Sequence, residues 1–347
     1  MKWYAYLMPI LFYVTSFYAF HAEGIGAYAT LILAFGVIAT LELILKPINE
    51  NPDDEESLKK NPIYRWIQIG FVFIQWITLL YFLYITKHQN VDTATSIGRI
   101  ICMGLLCGVF GINVAHELGH HVNKTDQILA KASLLTSMYM HFFIEHNKGH
   151  HKHVSTAHDP ASARYNEWIY VFYIRSIVGS YLSAWQIENK DTRKQFGTWL
   201  TLRNQMIQLH IVEISFLIIL NLYGGLLVVG SFLAAALLGI LLLESVNYIQ
   251  HYGLTRKATS ATSFERTQVY HSWDCHYPLG RMMLFELSRH SDHHYLASRP
   301  YQLLRHHAQA PLLPAGYPGS ILLALIPPLW CSIMNRKIAK IKGGIDS

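Results

Sequence analysis

The chain has 347 residues, of which 52% are apolar and only 14% charged, with a net charge of +6. Soluble globular chains carry about 25% charged residues, so an ordinary soluble enzyme is excluded and one integral-membrane unit over residues 1–347 is expected. No basic cluster points to nucleic acid, and four cysteines without a CxxC pair exclude a cysteine-ligated iron–sulfur centre.

Taken in chain order, apolar runs near the length of a bilayer crossing fall at 3–20, 25–45, 64–86, 97–115, 209–227 and 232–249. They predict an all-α membrane protein with six transmembrane helices. The first run is too long and too rich in tyrosine for the core of a leader peptide, and it lacks a small-x-small cleavage site, so it counts as a span. Gly36 lies in the second run, where a small residue facing an internal channel would leave it open. The acidic segment 49–61 reads as a solvated loop. Residues 128–144 are apolar but short and carry Lys131 and His141, which predicts a buried or re-entrant helix. Gly224, Gly225 and Gly230 mark a tight turn between the last two runs, and 320–334, with Pro327 and Pro328, reads as interfacial. With the N-terminus inside, the outer loops and their flanks hold only Lys87 and Arg99 of the 28 basic residues. The positive-inside rule then places both termini in the cytoplasm.

That topology puts four histidine clusters on one face, in segments 116–208 and 250–347. They are HELGHH (His116, Glu117, His120, His121), EHNKGHH (Glu145, His146, His150, His151), NYIQHYG (His251) and RHSDHH (His290, His293, His294). His116 and His120 share a helical face, as do His146 and His150, and His290, His293 and His294 repeat the spacing. Neutral imidazole binds iron, zinc and copper. Nine converging donors are too many for one tetrahedral ion and suit two metals with open positions, held in a helical, histidine-rich cytoplasmic cap. His21, His88 and His210 read as surface or core residues. His121, His153, His158, His306 and His307 read as solvated or supporting, while His141, His271 and His276 lie nearer the clusters. One rival stands on His116, Glu117 and His120, which match the H-E-x-x-H pattern of zinc metalloproteases; that pattern leaves seven clustered histidines unexplained.

HELGHH, EHNKGHH followed by Asp159-Pro160-Ala161-Ser162, NYIQHYG and RHSDHH resemble, in order and over nearly the whole chain, the integral-membrane alkane hydroxylases. These are a branch of the membrane-bound non-heme diiron family that also holds fatty-acid desaturases and xylene monooxygenases. The segment Asn247 to Gly253 is typical of the hydroxylases rather than the desaturases. The chain departs from the usual pattern at His121, where lysine is common, and over Trp273-Asp274-Cys275-His276 and Gly280.

The resemblance implies terminal hydroxylation of medium- or long-chain n-alkanes to 1-alkanols with O2. It implies two iron ions on the nine clustered histidines, electrons from rubredoxin reduced by its own reductase, and a bacterial-type inner membrane. Xylene-type methyl hydroxylation and desaturation are the alternatives that share this core. Glu117, Glu145, Asp159, Asn247 and Asp292 are candidates to accept the second N–H of ligating imidazoles and fix their tautomers.

Overall fold

The computed structural model describes residues 1–260 and 263–345. Ten helices organise the chain: α1 (Ile10–His21), α2 (Gly24–Ile44), α3 (Ile63–His88), α4 (Thr93–Gly119), α5 (Lys124–Leu135), α6 (Ile169–Phe196), α7 (Gln205–His251), α8 (His290–Tyr295), α9 (Tyr317–Ala324) and α10 (Pro327–Ile345). Among the described residues, β structure is limited to two isolated bridges. The expected all-α character therefore matches.

The expected count of six spans does not. Four helices, α2, α3, α4 and α7, are long and apolar enough to cross a membrane, or five if the bent pair α9–α10 is one span. Pro9 accounts for the loss at the N-terminus. It has no N–H to donate and its ring crowds the preceding turn, so the 3–20 run splits into a 3-10 turn, Trp3–Leu7, and α1. The 12 residues of α1 extend about 18 Å against a hydrocarbon core of about 30 Å. At the other end, 209–227 and 232–249 belong to one 47-residue helical stretch that doubles back at Gly225 (φ 66°, ψ −165°), a backbone geometry open to glycine. The proof of reversal is that Phe216 and Phe232 meet edge to face at 5.3 Å, whereas a straight helix would hold them about 24 Å apart.

Segment 320–334 covers the junction of α9 and α10, which meet at 118° at Pro327 and Pro328. The region 128–144 is broken after α5 by Met138, at φ 49°, before a short helix Phe142–Glu145. The solvated segment 49–61 contains a short helix, Glu55–Lys60, capped by the Asp54 carboxylate on the Ser57 N–H at 3.0 Å.

Helix ends follow local chemistry. Asp92 caps α4 by accepting from the Thr95 N–H at 3.0 Å, and Asn204 caps α7 by accepting from the Met206 N–H at 2.9 Å. The pivot of the fold is α4, whose most apolar stretch is 78% buried against 28–44% for the other three. It packs on α7 through small residues: a Cβ on Gly108 would lie 2.7 Å from the Gly239 carbonyl oxygen. Such near-touching backbones are how lipid-embedded helices gain contact without a hydrophobic driving force. Parallel to α4 runs α2, with the Gly24 N–H donating to Thr95 Oγ1 at 3.1 Å and Ala27 against Gly98. The C-terminal end of α4 thus carries the first histidine box into the middle of the molecule.

Candidate metal centre

Each cluster reaches the centre on a different element. His116 lies in the last turn of α4 and His120 just past it, after a π-helical segment, Cys107–Ile112, that turns the helix end. His146 and His150 bound a second π turn, His146–His150. His251 ends α7, and the six-residue α8 supplies His290, His293 and His294. Widened π turns re-aim side chains and recur at functional sites.

All nine imidazoles converge, in two groups. His116, His120, His146, His151 and His293 form one, and His150, His251, His290 and His294 form the other, with the candidate ligand atoms of each group within 4.8 Å of one another. His146 and His150, expected on one helical face, fall in different groups, because the π turn brings Nε2 of His151 rather than of His150 up to that of His146. The Nε2 atoms of His146 and His151 are 3.0 Å apart. In the same group, His293 Nε2 lies 3.0 Å from His116 Nε2 and 3.1 Å from His151 Nε2, and His120 Nε2 lies 3.4 Å from His116 Nε2. In the other group the His290–His251, His290–His294 and His150–His294 Nε2 separations are 3.0, 2.9 and 3.2 Å. Likewise α8 divides its histidines, sending His293 to the first group and His290 and His294 to the second.

This geometry fits metal binding. Imidazole nitrogens bound at about 2.1 Å are about 3.0 Å apart at a right angle and about 3.4 Å apart in a tetrahedron. A ring nitrogen carries one proton or one lone pair, so hydrogen bonding alone cannot satisfy five Nε2 atoms converging at these distances. Two imidazole-rich groups able to coordinate a dimetal centre are therefore present, with no carboxylate or thiolate in either. The metalloprotease alternative fails on the same grounds, because the Glu117 carboxylate accepts from the Tyr301 N–H at 2.9 Å and His116 and His120 belong to a five-imidazole group.

Of the five residues expected to orient imidazoles, one does so. Asp159 Oδ2 accepts from His150 Nδ1 at 2.9 Å and from Ser162 Oγ at 2.5 Å, while its Oδ1 accepts from the Ala161 N–H at 3.0 Å. Glu117 is committed to Tyr301. Among the described residues Glu145 accepts only from Ser183 Oγ, at 3.4 Å, and Asn247 donates to Glu244 at 3.3 Å. Asp292 turns away from the metals to take Arg299 at 2.5 and 2.6 Å, the Arg305 N–H at 2.9 Å and His307 at 2.7 Å. It anchors the loop behind α8 instead. Ser272, which no motif flagged, lies 3.5 Å from His251 Nδ1. His276 pairs with His306 at 2.9 Å and His121 with Asp126 at 2.8 Å, both outside the two groups.

Burial, then crowding by neighbouring imidazoles, holds His146, His151, His290, His293 and His294 well below the ordinary imidazole range and His120 down to about 3. Burial, the largest influence, would lower His150 too, but the carboxylate of Asp159, with those of Glu145 and Glu244 beyond it, raises this one. A lowered imidazole stays neutral in the fold, while the unfolded chain takes up protons below about pH 6.5. Stability contributed by these groups is thus present above that pH and lost as pH falls. Protons also compete with metal for the same nitrogens. Melting temperature and bound metal are therefore expected to fall together from about pH 7 to pH 5; a flat melting profile would contradict this account.

An apolar cavity leads to the centre between α2, α4, α7 and α9. His116, His146 and His290, from both groups, line its inner end, and Phe12, Ala34 and Leu105 are among its walls. From His116 to Leu105 the cavity follows α4 for about 16 Å. Its polar neighbours are already engaged: Asn113 donates to the Leu284 carbonyl at 3.0 Å and Gln250 to the Tyr317 hydroxyl. Gly36 is not on this wall, because the helix turns it outward and presents Ala34, Phe35 and Ile38.

Comparison with known proteins agrees with this arrangement. Residues 94–321 match the family model described as fatty acid desaturase. "Alkane 1-monooxygenase 2" of Alcanivorax borkumensis is 34% identical over 100% of this chain and 94% of its own length. The alkane 1-monooxygenase of Acinetobacter baylyi is 34% identical over 87% of this chain and 74% of its own length. The hydroxylase component of a xylene/toluene monooxygenase from Pseudomonas putida is 25% identical over 87% of this chain and 80% of its own. With two imidazole groups at the end of an apolar cavity, and relatives of this kind along its full length, the chain belongs to the alkane 1-monooxygenase branch of the membrane-bound fatty acid desaturase family.

Proposed function

We propose that the chain hydroxylates the terminal methyl group of medium- or long-chain n-alkanes: R–CH3 + O2 + two electrons + two protons → R–CH2OH + H2O. The observation that carries this reading is the apolar cavity whose inner end is lined by imidazoles of both groups. An alkane offers no hydrogen-bonding handle, so a protein selects its end carbon by the shape of an apolar tunnel. Here the polar side chains along the wall are paired with one another or with backbone, which leaves hydrocarbon surface for the substrate and excludes water from it.

The nine histidines serve as ligands to two irons, which supply O2 activation when bound. Five imidazoles hold one position and four the other, each presenting Nε2, with Asp159 fixing the tautomer of His150. Residues 1–347 act as a single catalytic unit in a bacterial-type cytoplasmic membrane, with both termini and the histidine cap on the cytoplasmic side, reachable by a soluble carrier. Rubredoxin, itself reduced by rubredoxin reductase, is the electron donor. Higher identity to the alkane enzymes than to the xylene/toluene component favours alkanes over aromatic methyl groups.

The test supplies purified protein, its metal quantified, with octane or hexadecane, rubredoxin, its reductase and labelled O2. Two irons per chain and a labelled 1-alkanol are expected. An alkene product, an unlabelled alcohol or a single bound zinc would reject the reading.

A further inference from the structure

A second, small cavity lies behind the metal centre, divided from the apolar one by Phe142, His146 and Asn247, which line both. Its chemistry is opposite. Tyr139, His141, Glu145, Ser180 and Glu244 line it, together with His150. Among the described residues neither Glu145 nor Glu244 pairs with a lysine or arginine, and His141 Nε2 is buried without a hydrogen-bond partner. Glu244 is fully buried, yet three donors face its carboxyl group: Ser176 Oγ at 2.5 Å, the Tyr139 hydroxyl at 3.1 Å and Asn247 Nδ2 at 3.3 Å. Its hydrogen-bond partners among the described residues are these three and include no imidazole. Burying two carboxyl groups without cations is costly, and a merely structural strut needs neither two acids nor a cavity between them.

The cavity has an outward connection. The His141 ring packs edge-on against Tyr181 at 5.3 Å, and the Tyr181 hydroxyl is 3.0 Å from His210 Nε2. His210 Nδ1 lies 2.8 Å from the Met206 carbonyl oxygen and so donates to it, leaving Nε2 to accept from Tyr181, whose side chain is 36% exposed. Polar side chains thus mark a route from the surface at Tyr181 and His210, across the ring contact with His141, into the cavity and up to the wall carrying His146 and His150.

We propose that this cavity is the proton entry of the hydroxylation centre and that Glu244 is its relay carboxyl group. The inference rests on the hydroxylase reading, because that reaction demands protons at a buried place: each turnover breaks one C–H and the O–O bond, forms C–O and O–H bonds, and consumes two protons with two electrons from the external donor. The apolar cavity cannot conduct them. Glu244 passes its carboxyl proton through cavity water toward the oxygen that leaves as H2O, and regains one from the His141 side. Tyr139 and Ser176 hold the carboxyl group in place between transfers.

Glu244→Gln keeps the shape and removes the exchangeable proton; Glu244→Asp keeps the proton. In the Gln variant, full metal content and an unchanged melting temperature are expected, with turnover down about tenfold, a larger solvent deuterium isotope effect, and O2 diverted to hydrogen peroxide. The Asp variant restores most of the turnover. Independently of turnover, infrared difference spectra between oxidised and reduced protein, recorded without alkane, should contain a protonated-carboxyl band that Glu244→Gln abolishes. Absence of that band from the unsubstituted protein overturns the proposal even where alkane is hydroxylated. So does a Gln variant whose metal-loaded fraction keeps the original turnover and isotope effect. A protein that shows the band and oxidises no alkane refutes the hydroxylase reading instead.

Discussion

Asp159→Ala is expected to weaken metal binding by about ten- to a hundredfold, the range for losing a carboxylate behind a ligating histidine. His150 projects Nε2 into the four-histidine group and its Nδ1 onto Asp159 at 2.9 Å. Without the carboxylate, a buried N–H loses its acceptor, at a cost of about 1–3 kcal/mol. The ring is then free to rotate or to change tautomer, which takes Nε2 out of position. The Ala161 N–H, which holds Asp159, is a donor only, and the Ser162 hydroxyl already accepts from the Ser155 N–H at 2.8 Å, so neither replaces a carboxylate. Nor can a neighbour compensate, since Nδ1 of His290 and of His294 already lack partners in the same group. Asp159→Asn keeps an acceptor oxygen without the charge and should fall between the two. Metal titration of the three proteins decides the matter; equal metal content in all of them would remove Asp159 from the centre.

Ala34→Trp is expected to abolish oxidation of hexadecane while octane is still converted. Ala27 lies against Gly98, and α2 and α4 run in the same direction, so seven residues further on Ala34 is level with Leu105. That is the end of the cavity remote from His116. An indole there occupies the space that the far end of a long chain needs while leaving the methyl-binding end untouched. A long alkane would then have to stop short of the metals, and a displacement of about 1 Å at a reacting centre already costs about a hundredfold. Comparing product from a series of alkanes before and after the substitution provides the check. An unchanged length profile would mean that the substrate path avoids this wall. The same substitution at Gly36 should do little, because Gly36 faces outward.

Much of the centre was legible in the sequence, and the limits have identifiable causes. The nine clustered histidines meet because their spacings put several nitrogens on one side of short helical segments. Their division between two groups was not legible, since α-helical periodicity assigns His146 and His150 to one face and a π turn reassigns them. Supporting acids were harder still. Asp159 stands in a tight turn whose carboxylate folds back on His150, whereas Glu117 and Asp292 are claimed by Tyr301 and by Arg299, partners far away in sequence or beyond the motif. Apolar run length marked the spans without registering that Pro9 cuts the first one short. It did locate the glycine at which α7 reverses. Glu244 belongs to none of the histidine motifs; its significance depends on Tyr139 and Ser176, on two other segments.

The interleaving of the ligands has a further consequence. Adjacent residues serve opposite groups twice over: His150 beside His151, and His293 beside His294. A backbone shift that releases one ion must therefore drag a donor away from the other, and seating the first ion pre-arranges donors for the second at a reduced ordering cost. Loading is accordingly expected to be cooperative, with chains carrying a lone ion scarce beside those that are empty or complete.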